Sequence, residues 1–234
     1  MTTEEKQRYS RQISVEEIGE SGQTRLLCSK VIIVGCGALG SMVAMQLAAA
    51  GIGKILIADF DTVDISNLQR QFFFSTEDAG KMKADTLSKR MMGINPECKI
   101  EIIQKLVDRN LAKELFKDCD FIVDATDNPA SKIMIEEVCR DISKACCIGG
   151  VSGFHGQVMT IKSAALTFKE IFDLNNDIDF MPCSAAGVIG PAAALCASIQ
   201  ASEVVKYLTG AGDTLENSML TFDLLTNTFR KIEF

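Results

Sequence analysis

Residues 31–40 read VIIVGCGALG, and no other stretch of the chain narrows its choice of fold so far. Four apolar residues run straight into Gly35, Gly37 and Gly40, the spacing G-x-G-x-x-G. That pattern predicts a buried strand, a tight glycine turn and the first turn of a helix. The first glycine permits the turn, the second lets the backbone approach a phosphate, and the third lets the helix pack against the strand. Ala38 lies inside the same turn, whose N–H groups sit at a helix N-terminus and suit an anion. The glycines alone favour a dinucleotide, but any phosphate-bearing ligand could use this backbone.

The rest of the chain repeats the strand–helix alternation. LGSMVAMQLAAAG (39–51) reads as a helix closed by Gly51, KILIAD (54–59) as a strand, and KMKADTLSKRMMGIN (81–95) as a helix. KIEIIQK (99–105) reads as a further strand, FIVDATDN (121–128) as a strand ending in acidic and turn residues, and ACCIGGVSG (145–153) as strand and turn, separated by helices at 111–119 and 131–143. GQVMTIKS (156–163) alternates like an antiparallel strand, and the tail 219–234 fits a hairpin turning near Leu225–Asn227. Residues 190–210 form an Ala-rich helix between Pro191 and Gly210. Residues 3–29 suggest two short helices, giving an N-terminal arm over 1–30. Residues 164–182 are acidic and aperiodic and read as a surface loop. The expectation is an α/β fold: a Rossmann-like, doubly wound, mostly parallel sheet with antiparallel C-terminal strands and a helical arm, in one domain over 1–234.

Charge and cysteine usage remove several classes of function. With 31 acidic against 24 basic residues, the net charge is −7, the wrong sign for a nucleic-acid binder. The most apolar windows, 42–58 and 185–201, are broken by Gly, Lys, Gln or Pro, so membrane spans are not expected. The opening MTTEEKQRYSRQ does not resemble a secretory leader. Nine cysteines fall at 28, 36, 98, 119, 139, 146, 147, 183 and 196, with no C-x-x-C. Such an odd, unpatterned set indicates reduced thiols and a cytoplasmic location; Cys146 and Cys147 read as packing residues.

The expected strand ends collect acidic residues where a doubly wound sheet binds its ligand: Asp59 with Asp61, and Asp124 with Asp127. Asp59 follows Gly40 by 19 residues, about the spacing at which an acidic residue holds ribose hydroxyls. Beyond it, DFDTVDISNLQRQ (59–71) places Asn67 and Arg70 on a polar turn, and Lys83 opens the next helix. A guanidinium fork and an ammonium beside a glycine turn suit a triphosphate better than a dinucleotide. Asp127 could hold Mg²⁺, which takes one or two carboxylates plus phosphate oxygens. The constellation points to Mg-ATP; each charge alone would read as solvated surface.

RYSRQI (8–13), GCGALG (35–40), DFDTVDISNLQRQ (59–71), the Lys83 region, DATDN (124–128) and GVIGP (187–191) together resemble the ThiF/MoeB/HesA family, bacterial relatives of ubiquitin-activating enzymes. The resemblance covers nearly the whole chain in order. It implies an adenylyltransferase that uses Mg-ATP to activate the C-terminal glycine of a small ubiquitin-like sulfur carrier ending in Gly-Gly, releasing pyrophosphate. By residue matching, Asp59 would bind the ribose, Asn67, Arg70 and Lys83 the phosphates, and Asp127 the magnesium. Arg11 matches an arginine lent to the partner subunit's ATP site, which implies a homodimer.

In ThiF-like members a cysteine matching Cys183 forms a sulfur-linked conjugate with the carrier, though adenylation itself needs no thiol. A helix N-terminus nearby could lower such a thiol's pKa. Many relatives carry two C-x-x-C pairs for a structural zinc; here the crossover loop reads FKEIFDLNND and the tail ends RKIEF, so zinc is not expected. No rhodanese-like or ubiquitin-fold segment is present, so sulfur would come from a separate donor protein. The pathway expected is thiamine or molybdopterin-type biosynthesis. A tRNA-modifying, ATP-dependent dehydratase of the same superfamily is disfavoured by the acidic charge. A catalytically inert binding subunit would have no need of Arg11, Arg70, Lys83 and Asp127 together, and an NAD oxidoreductase would lack a proton donor. His155, the only histidine, shows no partner in sequence.

Overall fold

Strand β1 (Lys30–Val34) is apolar on both sides: Val31 and Ile33 enter one core layer, Ile32 and Val34 the other. A strand buried on both faces needs helices above and below it. The computed structural model, which describes residues 1–162, 166–172 and 187–234, supplies both. β2 (Lys54–Ala58), β3 (Lys99–Ile103), β4 (Phe121–Asp124) and β5 (Cys146–Ser152) join β1 in parallel. β6 (His155–Ile161), β7 (Ser218–Asp223) and β8 (Thr228–Glu233) continue antiparallel, giving the order β3-β2-β1-β4-β5-β6-β7-β8. The expected mixed, doubly wound sheet is therefore present.

One layer packs α3 (Gly19–Cys28), α4 (Gly40–Ala50), α5 (Lys83–Ile94) and α9 (Gly190–Thr209) against the sheet through Leu26, Leu47, Leu87 and Val204. The opposite layer packs α6 (Arg109–Phe116), α7 (Pro129–Asp141) and α8 (Phe168–Ile171) through Phe116, Val138 and Phe168. Helix α9 begins with Pro191 in its first turn and stops at Gly210, which takes the left-handed conformation. None of the described helices is long and apolar enough to cross a membrane.

Three expectations about elements change. The N-terminal segment forms three helices rather than two: α1 (Thr3–Arg8), α2 (Ser10–Ile13) and α3. The segment is packed against the rest of the chain. Tyr9 and Leu26 are buried, and Asn95 donates a 2.9 Å hydrogen bond to the Tyr9 hydroxyl. The strand expected over 121–128 stops at Asp124, whose carboxylate accepts from the amide and hydroxyl of Thr126 and turns the chain. Asn128 then caps α7 through the Ser131 amide. Within the loop expected over 164–182, residues 168–171 form α8 behind a Thr167–Glu170 capping box. The remainder of that loop, 164–165 and 173–182, lies outside the described residues, as does Cys183.

Candidate functional site

The sheet order reverses between β1 and β4, and their carboxyl ends diverge into a crevice. A cavity of about 530 Å³ opens there, walled by the glycine turn after β1, the acidic turn after β4 and the loop after β2. Gly35, Gly37, Ala38, Asp59, Asp61, Asn67, Arg70, Lys83 and Asp127 all line it. Residues far apart in sequence are thus gathered at one place. Gly40 lies beneath the turn, and Arg11 is not among the lining residues.

Gly35 holds φ at +96°, the left-handed region, and a Cβ there would stand 2.7 Å from the Ala125 carbonyl oxygen. This close approach draws the two turns together. The amide groups of Gly37, Ala38 and Leu39 have no acceptor among the described residues, leaving three donors at the N-terminus of α4. An anion in the cavity would satisfy them.

Asp59 anchors the turn. One of its carboxylate oxygens accepts the Cys36 amide at 2.5 Å, the other the Asp61 amide at 2.7 Å. Burial pushes its pKa up, against the pull of those two amides and of the Lys83 charge. Each oxygen keeps a lone pair for another donor, which suits a sugar hydroxyl. Cys36 beneath it is fully buried, and desolvation followed by the Asp59 charge pushes its thiol well up, so it is no nucleophile.

The cations are already positioned. Lys83, the first residue of α5, is buried and pairs with half-exposed Asp61 at 3.1 Å. Arg70 donates to the Ser66 carbonyl at 2.9 Å, within a turn in which the Asn67 carbonyl accepts the amides of Arg70 and Gln71. The Asn67 carboxamide itself has no partner among the described residues. Asp127 is exposed, and its carboxylate has no hydrogen bond or ion pair among the described residues. An unshared carboxylate facing a cavity of phosphate-type donors fits a magnesium ion completed by phosphate and water oxygens.

Sequence reading missed Lys132. Its ammonium is buried and spends its three donors on the Asp124 carboxylate (2.9 Å), the Thr126 carbonyl (2.7 Å) and the Gly149 carbonyl (2.7 Å). The available signal was position: Lys132 shares the buried face of α7 with Ile135 and Cys139. Gln71 and Lys105 also line the cavity and had not been singled out.

A second cavity of about 490 Å³ adjoins the first over β5, β6 and β7. The two share Asp127, Lys132, Gly150 and Val151. Its floor includes Met159 and Phe222, and its rim carries His155, Asp223 and Arg230. His155 gains the partner its sequence context did not reveal, since Nδ1 lies 3.6 Å from Asp223. His155 is largely exposed, whereas Asp223 is partly buried.

The ThiF family model matches residues 9–234. The "Sulfur carrier protein ThiS adenylyltransferase" of Escherichia coli (strain K12) is 33% identical over 227 residues, covering 96% of this chain and 90% of that protein. The "Probable molybdopterin-synthase adenylyltransferase" of Gracilaria tenuistipitata var. liui is 32% identical over 230 residues, covering 98% of this chain but 65% of that protein. The crystal structure of PaaA superposes with a TM-score of 0.84 at 27% identity, over 100% of this chain and 74% of that one.

Proposed function

The chain belongs to the ThiF family, and from that premise we propose that it is an ATP-dependent adenylyltransferase acting on a small ubiquitin-like sulfur carrier of the ThiS/MoaD kind. It activates the carrier's C-terminal glycine as an acyl-adenylate. The observation that carries this reading is the junction of the two cavities at Asp127 and Lys132, with phosphate donors on one side and an open groove on the other. A flexible Gly-Gly tail lying in the groove would deliver its carboxylate to the edge of the nucleotide site.

In the reaction a carboxylate oxygen bonds to the α-phosphorus as the bond to pyrophosphate breaks. Negative charge grows on the phosphoryl oxygens and the leaving group. Arg70, Lys83 and the free amides of Gly37 and Ala38 stand ready to stabilise it without reorganising. Asp59 holds the ribose, and Asn67 joins Arg70 and Lys83 around the phosphates. Asp127 would hold Mg²⁺, which when bound would further neutralise phosphate charge. A sulfur nucleophile from a separate donor protein then attacks the acyl-adenylate carbonyl, forming a carbon–sulfur bond as the acyl–phosphate bond breaks and AMP leaves, in thiamine or molybdopterin-type biosynthesis. Cys183 is assigned the conjugate-forming thiol, dispensable for the first step.

ATP–pyrophosphate exchange with and without a Gly-Gly-ending carrier from the same genome tests the proposal. Exchange is expected only with the carrier, and carrier-independent or absent exchange would sink it. Arg70→Ala and Asp127→Ala are each expected to lower exchange by about 10²–10³-fold, while Cys183→Ser retains it.

A further inference from the structure

Gln71 is almost entirely buried, at 4% exposure, yet its side-chain oxygen Oε1 has no hydrogen-bond partner. The amide nitrogen Nε2 has none among the described residues either. This isolation is not the result of a loose chain. The Gln71 amide donates to the Asn67 carbonyl at 2.9 Å and its carbonyl accepts the Phe74 amide at 3.0 Å, so the backbone is held on both sides. The carboxamide is directed at the glycine turn: Nε2 lies 3.7 Å from where a Cβ on Gly37 would stand, and both residues line the nucleotide cavity. Buried amides are normally satisfied, and leaving one unpaired disfavours the fold. Here the group sits beside three further unpaired donors, the amides of Gly37, Ala38 and Leu39. Unpaired donors clustered on one cavity wall, Nε2 with the three amides, indicate an acceptor-rich ligand that satisfies them together.

Resting on the reading of this cavity as an ATP site, we propose that Gln71 is a nucleotide-binding residue. Its carboxamide bridges the glycine turn to the triphosphate. The NH₂ end donates to a phosphate oxygen. Arg70 and Gln71, adjacent in sequence, then serve the same ligand: Arg70 as a charge, Gln71 as a neutral donor. A purely structural glutamine would use its amide within the protein, as Gln12 does on the Ala50 carbonyl.

Thermal unfolding with and without Mg-ATP separates the two roles. Gln71→Met keeps the length and removes the unpaired amide, so the free protein is expected to melt at the same temperature or higher. Its ATP-induced shift is expected to shrink, with about a tenfold rise in the apparent Kd for ATP. An ATP response equal to the wild type's would overturn the proposal, whatever the variant's own melting point. Should Gln71→Met fail to fold, Gln71→Asn, which keeps the amide but withdraws it by one methylene, is expected to show the same loss; an undiminished response there would equally overturn the proposal. The wild-type ATP shift is the control that distinguishes the readings: its absence would count against the ATP site itself.

Discussion

A methyl group at position 40 would lie 1.8 Å from the Gly35 carbonyl oxygen, whereas one at position 37 would meet nothing nearer than Gln71 at 3.7 Å. These two glycines of one motif therefore answer to different partners. Gly40 is required by the contact between α4 and the turn, Gly37 by whatever enters the cavity. Gly40→Ala is expected to destabilise the free protein by about 1–3 kcal/mol and to be visible in urea unfolding. Gly37→Ala is expected to leave stability within about 0.5 kcal/mol while raising the apparent Kd for ATP. A Gly37→Ala protein that unfolds early but binds ATP normally would reverse the assignment. Spacing alone made these glycines, Asp59 and Arg70 legible, because the backbone that cradles phosphate needs those residue types at those intervals. Lys132 and Gln71 were not legible. A single lysine or glutamine reads as solvated surface, and only the folded chain shows one with all three donors spent and the other with none.

Elements end where side chains give the backbone another partner, and this decides how the site is built. β4 stops because Asp124 bonds Thr126, α7 starts because Asn128 caps it, and Lys132 returns from the first turn of α7 to clamp both to β5. Asp124 is completely buried, and Lys132 is its only charged partner among the described residues. Lys132→Met therefore leaves a buried carboxylate unpaired and is expected to destabilise the fold by about 3–5 kcal/mol, measured by urea unfolding. A loss below about 1 kcal/mol would mean the clamp is replaceable by water. The turn carrying Asp127 hangs from this clamp, so ATP binding in Lys132→Met should weaken as well. Periodicity located β4 and α7, and the acidic and turn-forming residues of 124–128 mark the strand's end without fixing the residue at which it stops. Helix α8 was missed although its Thr167–Glu170 capping box stood in the sequence; four residues carry too little periodicity to reveal a helix.

At the scale of the whole molecule, the strand–helix alternation made the parallel half of the sheet readable, and the change to strict alternation at 156–163 marked its antiparallel half. What a single sequence of strands cannot convey is which end of the fold each charged residue occupies, and Arg11 depends on that. The glycine turn of the nucleotide cavity is at the N-terminal end of α4. Helix α2, which carries Arg11, is tied to the other end, where Gln12 donates to the Ala50 carbonyl and the Tyr9 ring packs on Gly51. With 11 residues, α4 separates these ends by about 16 Å. Arg11 is exposed and has no partner among the described residues. Meanwhile Phe60, Ile65 and Phe72, all more than half exposed, stand on the loop that walls the cavity and form an exposed apolar surface. The homodimer that the family resemblance implies would account for both facts if Arg11 serves its partner's site. Arg11→Ala and Asp127→Ala homodimers would then each be inactive for different reasons. In a mixed dimer the Arg11→Ala protomer keeps its Asp127 and receives Arg11 from its partner, so one site of two is complete. Random reassortment of equal amounts should restore about a quarter of wild-type carrier-dependent exchange. An Arg11→Ala enzyme with wild-type exchange, or a mixture that stays inactive after confirmed subunit exchange, would show that Arg11 does not act across an interface.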